Sequence, residues 1–299
     1  MSLRAELVRL GLRWFVKRML GFGTSVEAMR RQVTILGLLV PQPPKGTAVT
    51  RVELDGVEAV SIATKESLDD RLVLYLHGGG YVSGKPALYR DFTWRIAVAA
   101  RARVVIIAQR LAPEHPFPAA LDDAAAAYRA LIAGGCDPRR MAVMGESAGG
   151  GLALAMLLKL RDEGSPLPAA AVALSPWTDL AFTGASMQRN AQADPMIRGN
   201  EGSALASCYL AGADPRTPYA SPLYGDPTGL PPTLIQVGSD EVLLDDSVRM
   251  AERMRAAGCE VELEIWPRMP HAWHLWARVM PEARTAIERV GAFVQRRMG

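Results

Sequence analysis

From Arg71 onward the chain alternates short apolar runs with longer helical stretches, and that alternation restricts the fold most. The runs are "LVLYL" (72–76), "RVVIIA" (103–108), "MAVMG" (141–145), "AAVALS" (170–175), "TLIQVG" (233–238) and "VELEIW" (261–266). A run apolar at every position suits a parallel strand covered on both faces. Helical segments fall between them, near 87–101, 119–133, 148–163, 245–257 and 281–297. Strands alternating with helices of this length predict an α/β sheet with crossover connections. Upstream, "VTRVEL" and "VEAVSIA" flank Asp55-Gly56, a strong hairpin signal that brings the strand count to eight. Roughly fifty residues separate the runs ending at Ser175 and beginning at Thr233, and that stretch, rich in Gly, Pro, Asn and Met, reads as an insertion.

At 299 residues and 49% hydrophobic, the chain can bury one large core. Its 34 basic and 31 acidic residues leave a net charge of only +3 without a long run of either sign, which argues against a nucleic-acid partner. Cys136, Cys208 and Cys259 are odd in number and far apart, so reduced core thiols are expected rather than a disulfide framework or a metal site.

The first twenty residues carry Arg4, Glu6, Arg9, Arg13, Lys17 and Arg18, which leaves no uninterrupted apolar segment for a signal peptide, and a cytoplasmic location is the default. No window is apolar for long enough to span a membrane. Leu3, Leu7, Leu10, Trp14 and Phe15 recur at helical spacing. Such an aromatic-aliphatic face is expected to pack on the body of the protein, with a membrane surface as the alternative partner. "VPQPPKGT" (40–47) then breaks the helical region.

Chemistry centres on "GESAGGG" (145–151). Ser147 stands between a buried strand and a helix, where a tight turn needs small neighbours and exposes the hydroxyl at the carboxyl edge of the sheet. A helix-capping serine is the simpler alternative. A serine nucleophile needs a base, and the base needs an orienting group. Four histidines are available. His115, among prolines in "LAPEHPFPAA", reads as structural. His271 and His274 follow the last strand in "PRMPHAWHLW"; His271 comes first and is preferred, with His274 expected as a partly exposed helix residue. For the acid, "TLIQVGSDEVLLDD" offers Asp240 just after the strand, with Glu241, Asp245 and Asp246 behind it. Asp240 is the expected triad acid, and Asp245 suits a helix cap. His77-Gly78-Gly79-Gly80 ends another strand; its glycines let backbone amides approach a developing oxyanion, and the loop lacks the G-K-[ST] ending of a phosphate loop.

In order along residues 70–275, "HGGG", "RLAPEHPFPAA", "GESAGGG", the Asp240 segment and "PHAW" resemble the bacterial hormone-sensitive lipase-like (family IV) esterases of the α/β-hydrolase fold. The resemblance implies a catalytic triad of Ser147, Asp240 and His271 and an oxyanion hole from the amides of Gly79, Gly80 and Ala148. It implies a small-molecule ester substrate and neither a metal nor an organic cofactor. It further implies a helical cap from residues 1–45 and 179–215, with the hydrolase core in 46–178 and 216–299. Gln109 before "RLAPE", Glu146 before the serine, Glu241-Val242-Leu243 after Asp240, and Trp273 after His271 depart from the commoner family pattern.

The expected activity is a serine carboxylesterase acting on short- to medium-chain esters through an acyl-enzyme on Ser147. The same groups suit a lactone or an amide. A silent binding protein on this fold is the contrasting class, although such a protein would be expected to lose a triad member. A surface lipase guided by the basic N-terminal helix is a third reading. The amphipathic segment 281–297 suits a homodimer contact.

Overall fold

The computed structural model describes residues 1–17, 25–197 and 202–299. Two helices open it, α1 (Leu3–Gly11), continued by a π-helical turn at Leu12–Val16, and α2 (Val26–Leu39). Eight strands follow: β1 (Ala48–Leu54), β2 (Val57–Ala63), β3 (Leu68–Leu76), β4 (Ala102–Ile107), β5 (Met141–Glu146), β6 (Ala170–Leu174), β7 (Thr233–Gly238) and β8 (Val261–Trp266). They form one sheet in the order β1-β2-β4-β3-β5-β6-β7-β8, parallel from β4 to β8, with β1 and β2 antiparallel. The β1–β2 hairpin turns at Asp55-Gly56, both at positive φ (51° and 79°), as a two-residue type I′ turn requires.

The crossover helices are α3 (Arg90–Ala100), α4 (Ala119–Ala133) and α5 (Ala148–Asp162). Two short helices, α6 (Ser186–Arg189) and α7 (Gly202–Leu210), lie between β6 and β7, and α8 (Leu244–Ala256) and α9 (Pro281–Arg297) complete the chain. Alternate residues of β3 serve opposite faces. Leu72, Leu74 and Leu76 pack with Leu121 and Tyr128 of α4 and Leu152 and Met156 of α5. Val73 and Tyr75 pack with Phe92 and Ile96 of α3 and Val290 and Phe293 of α9. Each such fully buried aliphatic side chain contributes about 1.5–3 kcal/mol.

Two expectations about amphipathic segments are corrected here. In α9 the apolar face, Ala283, Ile287, Val290 and Val294, is buried inside the chain itself, so it is not left over for a homodimer. In α1 the apolar row is turned outward instead of packing on the body: Leu3, Leu7, Leu10 and Trp14 are 77%, 59%, 52% and 63% exposed. The small Ala5 and the next-turn Leu12 are the buried positions. Polar clasps hold the helix in that orientation: the Ser2 hydroxyl donates to Glu282 (2.9 Å) and Arg9 pairs with Asp240 (2.8 Å). The Phe15 side chain, Arg18, and positions 198–201 of the expected cap insertion lie outside the described residues. Among the described residues no helix is long and apolar enough to cross a membrane. The three cysteines are free and half-buried.

Candidate active site

β5 ends at Glu146 and α5 begins at Ala148, so Ser147 alone makes the turn between them. Its backbone sits at φ 56°, ψ −125°, a region L-residues rarely occupy and which costs on the order of 1–3 kcal/mol. Neighbouring backbone enforces it. Ser147 N–H donates to Leu174 O (2.9 Å), and Ser147 O accepts from Trp177 N–H (2.9 Å) and Gly150 N–H (3.0 Å). The helix then packs so tightly on the end of β3 that a Cβ on Gly149 would lie 2.1 Å from Leu76 O. Only glycine permits that approach, which explains the glycines after the serine.

His271 follows β8 and is buried. Its Nε2 lies 2.9 Å from Ser147 Oγ, and its Nδ1 lies 2.8 Å from Glu241 Oε2. An ionised carboxylate only accepts, so Nδ1–H donates to Glu241 and Nε2 is left to accept from the serine hydroxyl. Burial pulls the imidazole pKa down, but the Glu241 hydrogen bond and charge, helped by Glu146 and Asp194, outweigh it and leave the pKa above 6.5.

The acid in contact with His271 is therefore Glu241 and not Asp240. After β7 the chain turns back on itself, with Glu241 N–H donating to Gly238 O (3.2 Å). That turn puts Asp240 at the outer corner, partly exposed, where its carboxylate meets Arg9 (2.8 Å) and the Ser239 hydroxyl (3.0 Å). Glu241 is carried inward and fully buried, and its other oxygen accepts from the Ser175 hydroxyl (2.8 Å) and Gly238 N–H. The longer glutamate side chain spans the distance that a shorter acid at the strand end was expected to cover. A carboxylate one residue further along the same turn was the available signal.

The other acids hold the insertion in place. Asp245 accepts from Ser186 N–H (2.9 Å) and Arg189 (2.9 Å), so it ties α6 to α8. Asp246 accepts from Thr178 N–H (2.8 Å) and Asp179 N–H (2.9 Å), and burial, then the Asp179 charge, pushes its pKa up to about 8. Asp194 of the insertion accepts from Val242 N–H (3.0 Å), and Asn190 donates to Glu241 O (2.8 Å), bracing the acid turn. His274 is buried rather than partly exposed, with Nε2 2.8 Å from Gln236 Oε1; burial, then the His271 charge, pulls its pKa down to about 3.

The glycine loop lies beside the serine. Gly79 and Gly80 have φ of +114° and +65° and line one cavity with Ser147 and His271. Ala148 is the first residue of α5, at a helix end rich in unpaired N–H groups. Glu146 braces the loop from below: its buried Oε1 accepts from Gly78 N–H (2.9 Å) and the Tyr89 hydroxyl (2.6 Å). Gln109 donates to His77 O (2.8 Å) from the other side. Both had been visible only as departures from a pattern, because their partners are distant in sequence.

The cavity has a volume of about 560 Å³. Trp177, Phe182, Met187 and Leu205 line its interior, and Leu36, Leu39, Trp276 and Val279 line it while remaining exposed.

Comparison with known proteins agrees with this architecture. An alpha/beta hydrolase fold family model matches residues 73–275. An acetyl-hydrolase of Streptomyces hygroscopicus is 50% identical over 231 residues, 77% of each chain. An esterase of Acinetobacter venetianus is 33% identical over 268 residues, 89% of this chain and 88% of its own. The crystal structure of an esterase from the bacterial hormone-sensitive lipase family superposes with a TM-score of 0.95 at 42% identity, covering 100% of this chain and 99% of that one. Sequence, fold and relatives thus agree that the chain belongs to the alpha/beta hydrolases, among the bacterial hormone-sensitive lipase-like esterases, and is a carboxylic ester hydrolase.

Proposed function

We propose that the chain hydrolyses esters as a serine enzyme through an acyl-enzyme on Ser147. The observation that carries this reading is the imidazole of His271 bridging Ser147 Oγ (2.9 Å) and Glu241 (2.8 Å) at the wall of an apolar cavity. Ser147 Oγ attacks the ester carbonyl carbon while its proton passes to His271 Nε2. Glu241 stabilises the imidazolium that forms. The amides of Gly79, Gly80 and Ala148 take the oxyanion, each such donor being worth about 3–4 kcal/mol to the transition state. The C–O bond then breaks, the alcohol leaves with the proton from His271, and the acyl group stays on Ser147. Water, activated by His271 in turn, frees the acid and restores the serine.

Of the segments expected to form the cap, 1–45 and 179–215, the parts that cover the cavity are those carrying Met29, Leu36, Met187 and Leu205; Leu3, Leu7 and Leu10 of α1 do not line it. Trp177, Phe182 and Met187 limit its depth, which favours short to medium acyl chains. The acetyl-hydrolase and esterase relatives fit that preference.

The test is covalent trapping. An organophosphate is expected to modify the peptide carrying Ser147 stoichiometrically and abolish turnover of p-nitrophenyl acetate. Ser83, which also lines the cavity, should stay unmodified, because its hydroxyl donates to Gly79 O (2.9 Å), a backbone carbonyl that cannot take its proton. Labelling elsewhere with activity lost, or undiminished activity after labelling of Ser147, would overturn the acyl-enzyme reading. Falling rates from p-nitrophenyl butyrate to the palmitate ester would support the acyl preference, and rising ones would contradict it.

The pH profile follows from the same imidazole. Protonated His271 cannot accept the serine proton, so kcat/KM should fall as pH drops. Because the Glu241 contact outweighs burial and raises the His271 pKa, the midpoint of the acid limb is expected above 6.5. Initial rates with p-nitrophenyl acetate across pH 5 to 9 would measure it, and a midpoint well below 6.5 would contradict the paired imidazole.

A further inference from the structure

The outward row on α1 has a consequence beyond ester hydrolysis. At 3.6 residues per turn, Leu3, Leu7 and Leu10 of α1 share one crest with the buried Ala5 on the opposite side, and in the π-helical turn that follows Trp14 is exposed and Leu12 buried. Arg4 falls on one flank of the crest and Arg13 on the other, beside Glu6, whose carboxylate is paired with Arg268 (2.7 Å). Arg13 and Lys17 reach carbonyls of the insertion, at 2.8 Å from Gln192 O and 2.7 Å from Ala191 O. The second helix repeats the pattern at its C-terminal end, where Ile35, Leu36, Leu38 and Leu39 are all exposed.

The N-terminal segment is also basic in sequence, with its Arg9 paired with Asp240 and its Arg30 with Glu114. Residues 1–31 contain seven basic and two acidic side chains, whereas the rest of the chain has a slight acidic excess. An apolar crest with cationic flanks is the arrangement of a helix that lies in the plane of a lipid interface. A broad patch of mixed sign would suit a protein partner better, and a two-fold pairing of this face with a second copy would set the same basic flanks against each other. The cavity reaches the surface among exposed apolar residues that line it, Leu36 and Leu39 of α2 with Trp276 and Val279. Trp276 and Val279 belong to the segment between Arg268 and Glu282, which α1 grips through Glu6 with Arg268 (2.7 Å) and through Ser2 with Glu282 (2.9 Å).

We propose that α1 and α2 form a docking face for an anionic lipid surface, with the α1 crest entering the interfacial region, Arg4 and Arg13 facing lipid phosphates, and the cavity mouth directed at the bilayer. This goes beyond the acyl-enzyme reading and does not depend on it.

The experiment is co-sedimentation of the full chain with two vesicle preparations, phosphatidylcholine alone and phosphatidylcholine with about one third phosphatidylglycerol. The wild-type chain is expected to pellet with the anionic vesicles at low salt, about tenfold more weakly with the neutral ones, and to be released as salt rises. Leu7→Gln/Leu10→Gln should lose about tenfold in vesicle binding while keeping its thermal melt and its turnover of soluble p-nitrophenyl acetate, because both leucines are exposed and outside the cavity. Leu3→Gln/Leu7→Gln gives the same readout should the first pair fail to fold. Wild-type protein left in the supernatant with anionic vesicles at low salt, or a folded variant that binds undiminished, would overturn the proposal. So would a wild-type dimer by light scattering that becomes monomeric in the variant without any vesicle binding, since a second copy would then be what covers the crest.

Discussion

Ser147→Ala is expected to lower kcat for p-nitrophenyl acetate by about a millionfold, the size seen when the nucleophile of another serine hydrolase is removed. The substitution deletes one oxygen and nothing else. Alanine keeps the Cβ, so the strained backbone at φ 56° remains as it was, held by the same contacts from Leu174, Trp177 and Gly150. Only the hydrogen bond to His271 is lost, which bounds the stability change at about 1 kcal/mol and the Tm shift at a few degrees. A melt close to wild type combined with absent turnover is therefore the expected pair of results. Turnover within a factor of about ten of wild type in that folded variant would mean that another group performs the attack.

Much of this architecture was legible because it rests on periodicity. Continuous apolar runs such as "LVLYL" suit strands buried on both faces, and the structure fills both faces of β3 with helices. Ser147 and His271 could be found for a related reason: each sits where a strand delivers the chain to the carboxyl edge, and strand ends are readable. What was not legible depends on turns and on side-chain reach. Asp240 and Glu241 are adjacent, and the sequence does not say which one the turn from Gly238 carries inward; Glu241 N–H closing on Gly238 O decides it. The bracing by Asp194 and Asn190 was equally hidden, because it joins the insertion to a turn some fifty residues downstream.

The N-terminal helix shows the same limit from another direction. Its apolar row was expected to seek the body of the protein, as amphipathic surface helices do. Periodicity fixes which residues share a face and leaves open which face is turned inward. Here the polar clasps decide: Arg9 reaches Asp240, Ser2 reaches Glu282, and Ala5 is small enough to let the helix lie close. The residue expected to orient His271 instead anchors α1, so Asp240 has a role, but through the N-terminal segment and one residue away from the imidazole.

That division of labour between two neighbouring carboxylates gives the sharpest test. Glu241→Gln keeps size and burial but replaces an acceptor by an amide. Its NH₂ group can face Nδ1 only if the imidazole proton moves to Nε2, which then cannot take the serine proton. The expected loss in kcat is about four orders of magnitude, as for the corresponding aspartate-to-asparagine change in a serine protease. Asp240→Asn removes the charge facing Arg9 on a partly exposed pair, an interaction worth about 1 kcal/mol or less, and kcat should stay within a few-fold of wild type. The acid limb of kcat/KM adds an independent readout: without the Glu241 charge the His271 pKa loses its main upward influence, so any residual activity of Glu241→Gln should titrate at lower pH than wild type. Thermal melts of both variants establish that each is folded. An inactive Asp240→Asn beside an active, folded Glu241→Gln would return the role to Asp240 and require the turn after β7 to rearrange when substrate binds.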